Sequence, residues 1–531
     1  MNSIKLFDTT LRDGAQAEGV SYSTHDKLQI AQALDRLGIH YIEGGWPGSN
    51  PKDNQFFKDA RSIDLKKARL VAFGSTRRKG VRAAQDANLG AIVDSQVPVA
   101  CIFGKSWDMQ VTHALRTTLE ENLAMIRESV AYLKSKRLEV IYDAEHFFDG
   151  FRSNRPYALR TLQAALEAGA DNLTLCDTNG GSLPSQITDA FRVVRRVLPK
   201  AAWGIHVHND SGCAVANTLA AVEAGATLVQ GTMNGIGERC GNADLSVIIP
   251  NIQLKLGKRV LNDAQLRSLT EVSRSISEIT NLVPNDRQPY VGNSAFAHKG
   301  GIHVSAVSRH APTYEHIDPV TVGNQRRVLV SELSGKSNVI LKAKEHTLDF
   351  VKNGKVTQAI LDALKKRESE GYHYEGAEAS FELLVEKALK RYKPSFELGG
   401  FRVVVERKAG DSRALVTEAT LKIKVNGREE HTVAEGDGPV NALDNALRKA
   451  LEKFYPALKE MSLVDYKVRV INAAAGTAAK VRVLIESMDG KDEWTTTGVS
   501  MNLIEASWTA LVDAIEYKLL KDSVKPSHKV K

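Results

Sequence analysis

Cysteine is scarce and scattered in this 531-residue sequence. Only four are present, Cys101, Cys176, Cys213 and Cys240, and no two form a C-x-x-C pair. This excludes a zinc-finger framework and gives no support for a disulfide-built secreted module. Long apolar runs are also missing, since no segment approaches the roughly 18 uninterrupted apolar residues of a membrane span. The N-terminus runs directly into a predicted strand without room for a signal peptide, so we expect a soluble, cytoplasmic protein.

The excess of positive over negative charge in the sequence is small. Lys and Arg number 71 against 63 Asp and Glu, a net charge of +8. The basic residues are spread along the chain rather than gathered in one stripe, which argues against nucleic-acid binding. The last eleven residues, 521–531, carry four lysines and one aspartate and predict a solvated basic tail. The modest positive balance suits an enzyme with anionic substrates but does not decide the function.

Eight short apolar runs, each followed by a helix-like stretch, organise residues 1–260. The runs are Ile4–Thr9, Tyr41–Gly45, Leu70–Gly74, Val97–Gly104, Leu138–Asp143, Asn172–Cys176, Trp203–Val207 and Leu228–Thr232. Near-continuous apolar strands alternating with helices predict a parallel sheet that is covered on its faces. Eight such units in about 250 residues favour a (β/α)8 TIM barrel, with a doubly wound open sheet as the alternative.

The pattern changes after the eighth unit. Residues 263–282 predict one helix, and more helix follows a Gly/His/Ser-rich stretch, up to about Tyr392. We therefore expect a catalytic barrel at 1–260, helical linker subdomains at 261–394, a C-terminal α+β domain at 395–520 and the tail.

The predicted C-terminal domain contains a weak internal repeat. Each copy has alternating strand residues, a turn signal (Asn426-Gly427 or Asp489-Gly490), a second strand and a closing helix (Asn441–Leu451 or Asn502–Leu519). Asn-Gly and Asp-Gly between alternating runs are strong hairpin signals. The repeat predicts internal pseudo-symmetry in a domain without an obvious catalytic cluster.

Polar residues follow the predicted barrel strands at their carboxyl ends, where barrel enzymes build their active sites. Charged side chains are costly in such a place unless they have a function. The candidates are Arg12, Asp13, Glu43, Trp46, Glu145, Thr178, His206, His208 and Asn242.

The pair His206-x-His208 is the most specific of these signals. Residues i and i+2 of a strand share a face, so both imidazoles point into the barrel mouth. The alternative to a metal site is that both are ordinary core or surface histidines whose hydrogen bonds are satisfied. Asp13 and Asn242 add oxygen ligands, which favours a divalent metal ion, although two nitrogens and two oxygens leave Zn, Mn, Co and Mg all open.

Arg12 places a fixed cation beside this predicted metal site. Arg12 either forms an ion pair that closes the barrel end, for instance with Glu43, or directs its guanidinium at the negative charge that develops on a bound oxygen. Both roles are compatible if Glu43 orients Arg12. Gly235-x-Gly237 follows a strand, but Cys240 occupies the place of the third glycine, which excludes a dinucleotide-binding fingerprint.

These motifs resemble a known family. The segments Phe7–Gly14, Glu43–Gly48, His206–Asp210 and Gly237–Ala243 look like those of the DRE-TIM metallolyases. The whole chain is similar to the 2-isopropylmalate, homocitrate and citramalate synthases, and most of all to the long bacterial citramalate synthases. That closer similarity rests on Gly44–Asp53, Phe103–Trp107 and Asp143–Gly150.

The resemblance implies an acyltransferase that joins acetyl-CoA and pyruvate in a Claisen-type condensation to (R)-citramalate, on a route to isoleucine. Asp13, His206, His208 and Asn242 match the family's metal ligands, and Arg12 matches its oxyanion-stabilising arginine. Glu145 and Thr178 match residues near the keto acid and the catalytic base. We expect Trp46 to exclude larger 2-keto acids.

The resemblance also implies an allosteric homodimer. His303 and Tyr314 match a segment that completes the neighbouring subunit's site, and a histidine such as His303 has a suitable pKa for removing a methyl proton. The C-terminal domain resembles the family's regulatory module, which binds an end-product amino acid, here isoleucine or leucine. The alternatives are a 2-isopropylmalate or homocitrate synthase, a metal-dependent carbon–carbon lyase, or a degenerate scaffold barrel.

Overall fold

The computed structural model describes residues 4–329, 354–374, 376–407, 415–471 and 479–523. Residues 330–353 of the predicted linker and 524–531 of the predicted tail lie outside the described residues. One compact unit consists of Met1–Phe296 and Ile317–Arg326, and another of Ala297–His316 and Arg327–Lys531. Each unit is described by itself below.

The first unit contains a closed barrel of eight parallel strands in chain order, in which the first strand pairs with the eighth. This confirms the predicted TIM barrel and excludes the open sheet, whose edge strands would not pair. The strands are β1 Lys5–Asp8, β2 Tyr41–Gly45, β3 Arg69–Ser75, β4 Val99–Lys105, β5 Glu139–Glu145, β6 Asn172–Asp177, β7 Trp203–Val207 and β8 Leu228–Gly231.

Amphipathic helices cover the barrel. They are α1 Thr24–Leu37, α2 Pro51–Asp59, α3 Ala87–Asp94, α4 Leu119–Ser135, α5 Phe147–Ser153, α6 Arg155–Glu167, α7 Pro184–Val197, α8 Ala214–Glu223, α9 Leu245–Pro250, α10 Asp263–Arg267 and α11 Leu269–Ile279. Local sequence explains their ends. Ser23 and Asp26 form a capping box at the start of α1, and Gly38 ends that helix with φ of 100°.

The barrel interior is filled by side chains rather than open. Phe7, Tyr41, Val71, Val99 and Ile141 are among the buried residues of this inner cluster. Strand β2 shifts register against β3 between Glu43 and Gly45. Such an irregularity bends the strand end and redirects the side chains that follow it toward the mouth.

The prediction of one helix over residues 263–282 is wrong, because α10 and α11 are separate helices. Ser268 lies between them, and its hydroxyl donates a hydrogen bond to the carbonyl oxygen of Gln265. Such a side-chain bond to the preceding turn competes with the helical backbone ladder.

The second unit begins with a short two-stranded pairing and ends in a repeated α+β domain. Strands β9 Ala297–His298 and β10 Arg327–Val328 pair in parallel, and helices α12 Gly301–Arg309, α13 Gly354–Ser369 and α14 Glu378–Ala388 belong to the same unit. The repeat follows as β11 Glu397–Glu406, β12 Val416–Val425, β13 Arg428–Gly436, α15 Pro439–Leu451, then β14 Ser462–Val470, β15 Val481–Met488, β16 Glu493–Ser500, α16 Leu503–Lys521.

Each copy of the repeat has three antiparallel strands and one helix, so the predicted pseudo-symmetry is present. The sequence reasoning missed the first strand of each copy, β11 and β14. Both are edge strands with mostly exposed side chains, and they therefore lack the alternation that reveals a half-buried strand. Within the described ranges, no helix is long and apolar enough to cross a membrane.

Candidate active site

The carboxyl ends of the barrel strands surround a cavity of about 220 Å³. Seven of the predicted site residues line this cavity together: Arg12, Asp13, Trp46, Glu145, Thr178, His206 and His208. They come from both halves of the barrel sequence, and strand closure brings them to one mouth. The sequence reasoning therefore located the mouth correctly, although the role of each side chain remains a prediction.

Asp13, His206 and His208 form a buried group with the composition of a metal site. Oδ2 of Asp13 lies 3.2 Å from Nε2 of His206 and 3.9 Å from Nε2 of His208. One ligand atom from each residue falls within 4.8 Å of the others. One carboxylate oxygen and two imidazole nitrogens suit a first-row divalent cation.

Asn242, the fourth predicted ligand, lies in the loop after β8, and the described residues that line this cavity do not include it. It forms an isolated β-bridge with His208, and its Oδ1 atom is buried without a hydrogen-bond partner in the described part of the chain. A buried carbonyl oxygen without a partner is costly, because it has lost its hydrogen bonds to water. Nδ1 of His208 is likewise buried and unpartnered among the described residues. The donor set, with the free Asn242 oxygen, fits a divalent cation.

The charges within the group are tightly coupled. Burial alone would raise the pKa of Asp13, but the charge of Arg12 and a hydrogen bond with His206 outweigh it and hold that pKa well below its usual range. Burial and then repulsion from His206 lower the pKa of His208 to about 4. A charged Asp13 and a neutral His208 at neutral pH are the protonation states that bind a cation.

Arg12 is fixed at the mouth by a buried carboxylate. Its Nε donates to Oε2 of Glu43 at 2.7 Å, and the same oxygen accepts from Thr9 at 2.6 Å. The guanidinium carbon lies 3.9 Å from the ring centroid of Phe73. Glu43 is fully buried behind Arg12 and does not line the cavity. The hydrogen bond between Arg12 and Glu43 therefore supports the prediction that Glu43 orients Arg12.

Trp46 forms one wall of the cavity. Its ring meets those of Phe73 and Phe103 edge to face, at centroid distances of 5.6 and 5.7 Å. Its indole nitrogen donates to Oδ1 of Asn88 at 2.5 Å, and Asn88 in turn donates to the carbonyl of Ser75 at 2.7 Å. The indole is thus packed on one side and hydrogen-bonded at its edge.

Glu145 is the last residue of β5, and Thr178 follows the neighbouring strand β6. Glu145 forms an ion pair with Lys105 at the end of β4. The hydroxyl of Thr178 accepts a hydrogen bond from the backbone N–H of His146 at 2.9 Å, which ties the two strand ends together. Both residues line the same cavity as Asp13, His206 and His208.

His303 and Tyr314 belong to the second unit, where their rings stack at a centroid distance of 4.2 Å. Both are exposed, Tyr314 by 48%. Near them, His298 and Glu315 are joined at 3.1 Å. The segment therefore presents a paired imidazole and phenol.

The match to known families covers almost all of the chain. The HMGL-like family matches residues 3–276. The chain belongs to the HMGL-like family. Residues 290–371 match the homocitrate synthase post-HMGL domain-like family, and residues 375–519 match the LeuA allosteric (dimerisation) domain.

Several relatives are similar to this HMGL-like chain over nearly its whole length. The (R)-citramalate synthase of Geobacter sulfurreducens is 56% identical over 521 residues, covering 98% of each chain. That of Aquifex aeolicus is 55% identical over 519 residues, again covering 98% of each. The probable 2-isopropylmalate synthase of Methanopyrus kandleri is 31% identical over 515 residues, covering 96% of this chain and 97% of the other. The resemblance stated from the motifs is confirmed.

The sequence reasoning missed Gln230 of β8, which contacts the candidate ligand His206. It is fully buried, and its Oε1 lies 2.9 Å from Nδ1 of His206. Its Nε2 donates to Oδ1 of Asp143 at 2.9 Å, and burial raises the pKa of Asp143 to about 6. A glutamine within the otherwise apolar run Leu228–Gly231 was the available signal.

Proposed function

We propose that the chain is an (R)-citramalate synthase, an acyltransferase that condenses acetyl-CoA with pyruvate and water to (R)-citramalate and CoA on a route to isoleucine. The observation that carries this proposal is the 56% identity to an (R)-citramalate synthase over nearly the full length of both chains. The clustered Asp13, His206 and His208 at the barrel mouth support it, since a degenerate scaffold barrel would not need them.

Asp13, His206, His208 and Asn242 would hold the divalent cation. When bound, the cation supplies a Lewis acid that polarises the carbonyl of the 2-keto acid. The buried, unpartnered oxygen of Asn242 is the feature that favours a ligand role for this residue. The donor set leaves Mn, Zn, Co and Mg as candidates.

Arg12 stabilises the negative charge that develops on the keto oxygen as the carbon–carbon bond forms. Its guanidinium is already oriented by Glu43 at 2.7 Å and supported by the face of Phe73, so little reorganisation is needed during the reaction. Preorganised donors of this kind supply a large share of the rate enhancement in many enzymes.

Glu145, His303 and Tyr314 carry the proton chemistry. A methyl proton of the acetyl group must be removed by a base that works near neutral pH, and an imidazole such as that of His303 suits this task. Tyr314 stacks on His303 and orients it. Thr178 contacts the keto acid beside Glu145, and Trp46 excludes larger keto acids from the same cavity.

We further propose a cytoplasmic homodimer under feedback control. The match to the LeuA allosteric (dimerisation) domain supports an assembly through residues 375–519, with isoleucine or leucine as the effector. In this dimer the segment with His303 and Tyr314 completes the site of the neighbouring subunit. The division into a barrel at 1–260, a linker at 261–394, a regulatory domain at 395–520 and a tail at 521–531 is part of the same proposal.

A thiol-release assay tests the function. Purified protein is given acetyl-CoA with pyruvate, 2-ketobutyrate, 2-ketoisovalerate or 2-ketoglutarate, with and without a chelator. We expect chelator-sensitive CoA release with pyruvate as the best substrate, and inhibition on adding the effector. Release only with 2-ketoisovalerate or 2-ketoglutarate would make the chain a 2-isopropylmalate or homocitrate synthase. No release with any keto acid would contradict the proposal and favour a carbon–carbon lyase, tested by citramalate cleavage.

A further inference from the structure

A buried ion pair lies directly behind Trp46. Lys27 of α1 is 3% exposed and Asp53 of α2 is 7% exposed. Nζ of Lys27 donates to Oδ1 of Asp53 at 2.6 Å and to the carbonyl oxygen of Gly44 at 3.0 Å. Neither residue has a role in the chemistry proposed above. Because removing two charges from water costs free energy, the presence of this buried pair needs another explanation.

The second carboxylate oxygen of Asp53 holds the backbone of Trp46. Oδ2 of Asp53 accepts from the Trp46 N–H at 2.8 Å. Gly45, which precedes Trp46, has φ of 147°, and a Cβ placed on it would meet Oδ2 of Asp53 at 2.5 Å. The carboxylate thus packs directly against the main chain at the point where β2 ends and the loop turns into the mouth.

Trp46 is therefore fixed at two places. Asp53 holds its main chain, and Asn88 accepts from its indole nitrogen. The ring lines the cavity that contains the candidate metal ligands and also a neighbouring cavity of about 640 Å³. A small shift of this loop would change the shape of the space beside Arg12.

We propose that Asp53, held in place by Lys27, is a positioning residue for Trp46 and thereby sets which 2-keto acid the site accepts. Replacing a buried ion pair with apolar residues of similar volume is often neutral or stabilising, so stability alone is a weak reason for this pair. Its three hydrogen bonds, within the pair, to the Gly44 carbonyl and from the Trp46 N–H, instead define one loop geometry. This inference rests on the proposed function, because it assumes that the keto acid binds beside Trp46.

Two matched double variants test it. Lys27→Met with Asp53→Leu removes both charges and the acceptor for the Trp46 N–H, and leaves no unpaired buried charge. Lys27→Met with Asp53→Asn also removes both charges but keeps an amide oxygen for the Trp46 N–H. The measured quantity is the ratio of kcat/KM for pyruvate to kcat/KM for 2-ketobutyrate, with kcat and KM determined separately.

We expect the Leu variant to lower this ratio about tenfold, since one methylene in a pocket is worth about 10 to 200-fold in discrimination. The Asn variant should keep the ratio within about threefold of the wild type. In a Trp46→Ala background the Leu variant should have no further effect, because residues that act through one another are not additive. An unchanged ratio in the Leu variant, or the same fold-change in the Trp46→Ala background, overturns the proposal.

Asp35→Asn serves as the control for a structural effect. Asp35 lies near the opposite end of α1 and accepts the backbone N–H groups of Lys66, Lys67 and Ala68 at 2.7 to 2.9 Å. We expect this variant to lower the unfolding midpoint without changing the keto-acid ratio. An equal change in the ratio would assign the effect of the ion pair to general destabilisation.

Tryptophan emission separates this inference from the proposed function. The chain has five tryptophans, so the spectrum of each protein minus that of its Trp46→Phe counterpart isolates Trp46. We expect red-shifted Trp46 emission in the Leu variant and wild-type emission in the Asn variant. A wild-type protein that releases no CoA refutes the proposed function, whereas an active wild type with unaltered Trp46 emission in the Leu variant refutes the positioning role.

Discussion

Gln230 Oε1 lies 2.9 Å from Nδ1 of His206 in the interior of the barrel unit, and both side chains are buried. The amide nitrogen of Gln230 faces the carboxylate of Asp143, which can only accept while it is ionised, so the amide oxygen must face the imidazole. Nδ1 of His206 therefore keeps its proton and donates it to Gln230, so the proton that a cation would displace is the one on Nε2, which faces Oδ2 of Asp13 at 3.2 Å. The glutamine selects the imidazole tautomer that can bind a cation.

The first prediction concerns this contact. Gln230→Leu should weaken binding of a divalent cation about 10 to 100-fold, because outer partners orient the ligating imidazole. Titration calorimetry with Mn²⁺ or Zn²⁺ measures this directly, without reliance on activity. Gln253→Leu is a matched control, since Oε1 of Gln253 accepts from the backbone N–H groups of Val260 and Leu261 and, among the described residues, contacts none of the candidate ligands. Wild-type cation affinity in Gln230→Leu would contradict the role.

The second prediction concerns the charge at the mouth. Arg12→Lys should reduce kcat about 10² to 10³-fold, because lysine cannot reproduce the planar donor fork that Glu43 orients. Steady-state CoA release with pyruvate measures the effect, and KM should change less than kcat. Arg192→Lys, on the exposed side of α7, should leave both constants unchanged. A loss confined to KM would assign Arg12 to substrate binding alone.

The third prediction concerns the wall of the cavity. Trp46→Ala removes a ring that packs against Phe73 and Phe103, so the site should accept longer keto acids. We expect kcat/KM for 2-ketoisovalerate relative to pyruvate to rise at least tenfold, as expected for one or two additional methyl groups. Competition between the two keto acids, analysed by product, provides the measurement. An unchanged preference would remove Trp46 from the specificity determinants.

The fourth prediction concerns acid stability. Burial, together with the charges of Lys67 and Lys5, lowers the pKa of His40 from 6.5 to about 4. Above pH 6.5 the imidazole is neutral in both states. As the pH falls from 6.5 to 4, the unfolded chain binds a proton that the folded chain does not, so the free energy of unfolding decreases.

The variant His40→Asn isolates this effect. Nδ1 of His40 accepts from the backbone N–H of Leu6 at 3.1 Å, and the asparagine oxygen can replace it without titrating. Urea unfolding at several pH values should show the wild type losing stability relative to His40→Asn between pH 6.5 and 4. The surface variant His25→Asn controls for loss of an imidazole, and parallel profiles for His40→Asn and the wild type would exclude the effect.

The strands of the barrel were predictable because each is buried on both faces and reads as an apolar run. Trp203–Val207 and Tyr41–Gly45 are predicted with their observed bounds. The edge strands β11 and β14 were not predictable in the same way, because exposure removes the alternating pattern. The turn residues predicted the geometry of the hairpins only in part. Asn426-Gly427 forms the expected two-residue turn with positive φ at both residues.

Side-chain partnerships were harder to read than backbone structure. His206, His208 and Asp13 could be predicted to lie together because each stands at or just after the end of a barrel strand, and their ligand atoms do cluster. Gln230 and Asn88 act through contacts 24 and 42 residues away in sequence, and no local rule predicts which polar side chain will meet them. Spacing along the chain therefore located the mouth, but only the folded geometry shows which groups support it.

Closure of the barrel joins parts of the chain that are synthesised far apart in time. The backbone N–H of Met233, just after β8, donates to the hydroxyl of Thr10, just after β1, across 223 positions of sequence. This contact is the seam of the barrel: Asp13 follows Thr10 on one side of it, and Asn242 follows Met233 on the other. A nascent chain can assemble the candidate ligand set only after the first and last strands have met. Cation binding then adds its free energy to the closed form alone, so amide exchange at the seam should slow most when metal is added.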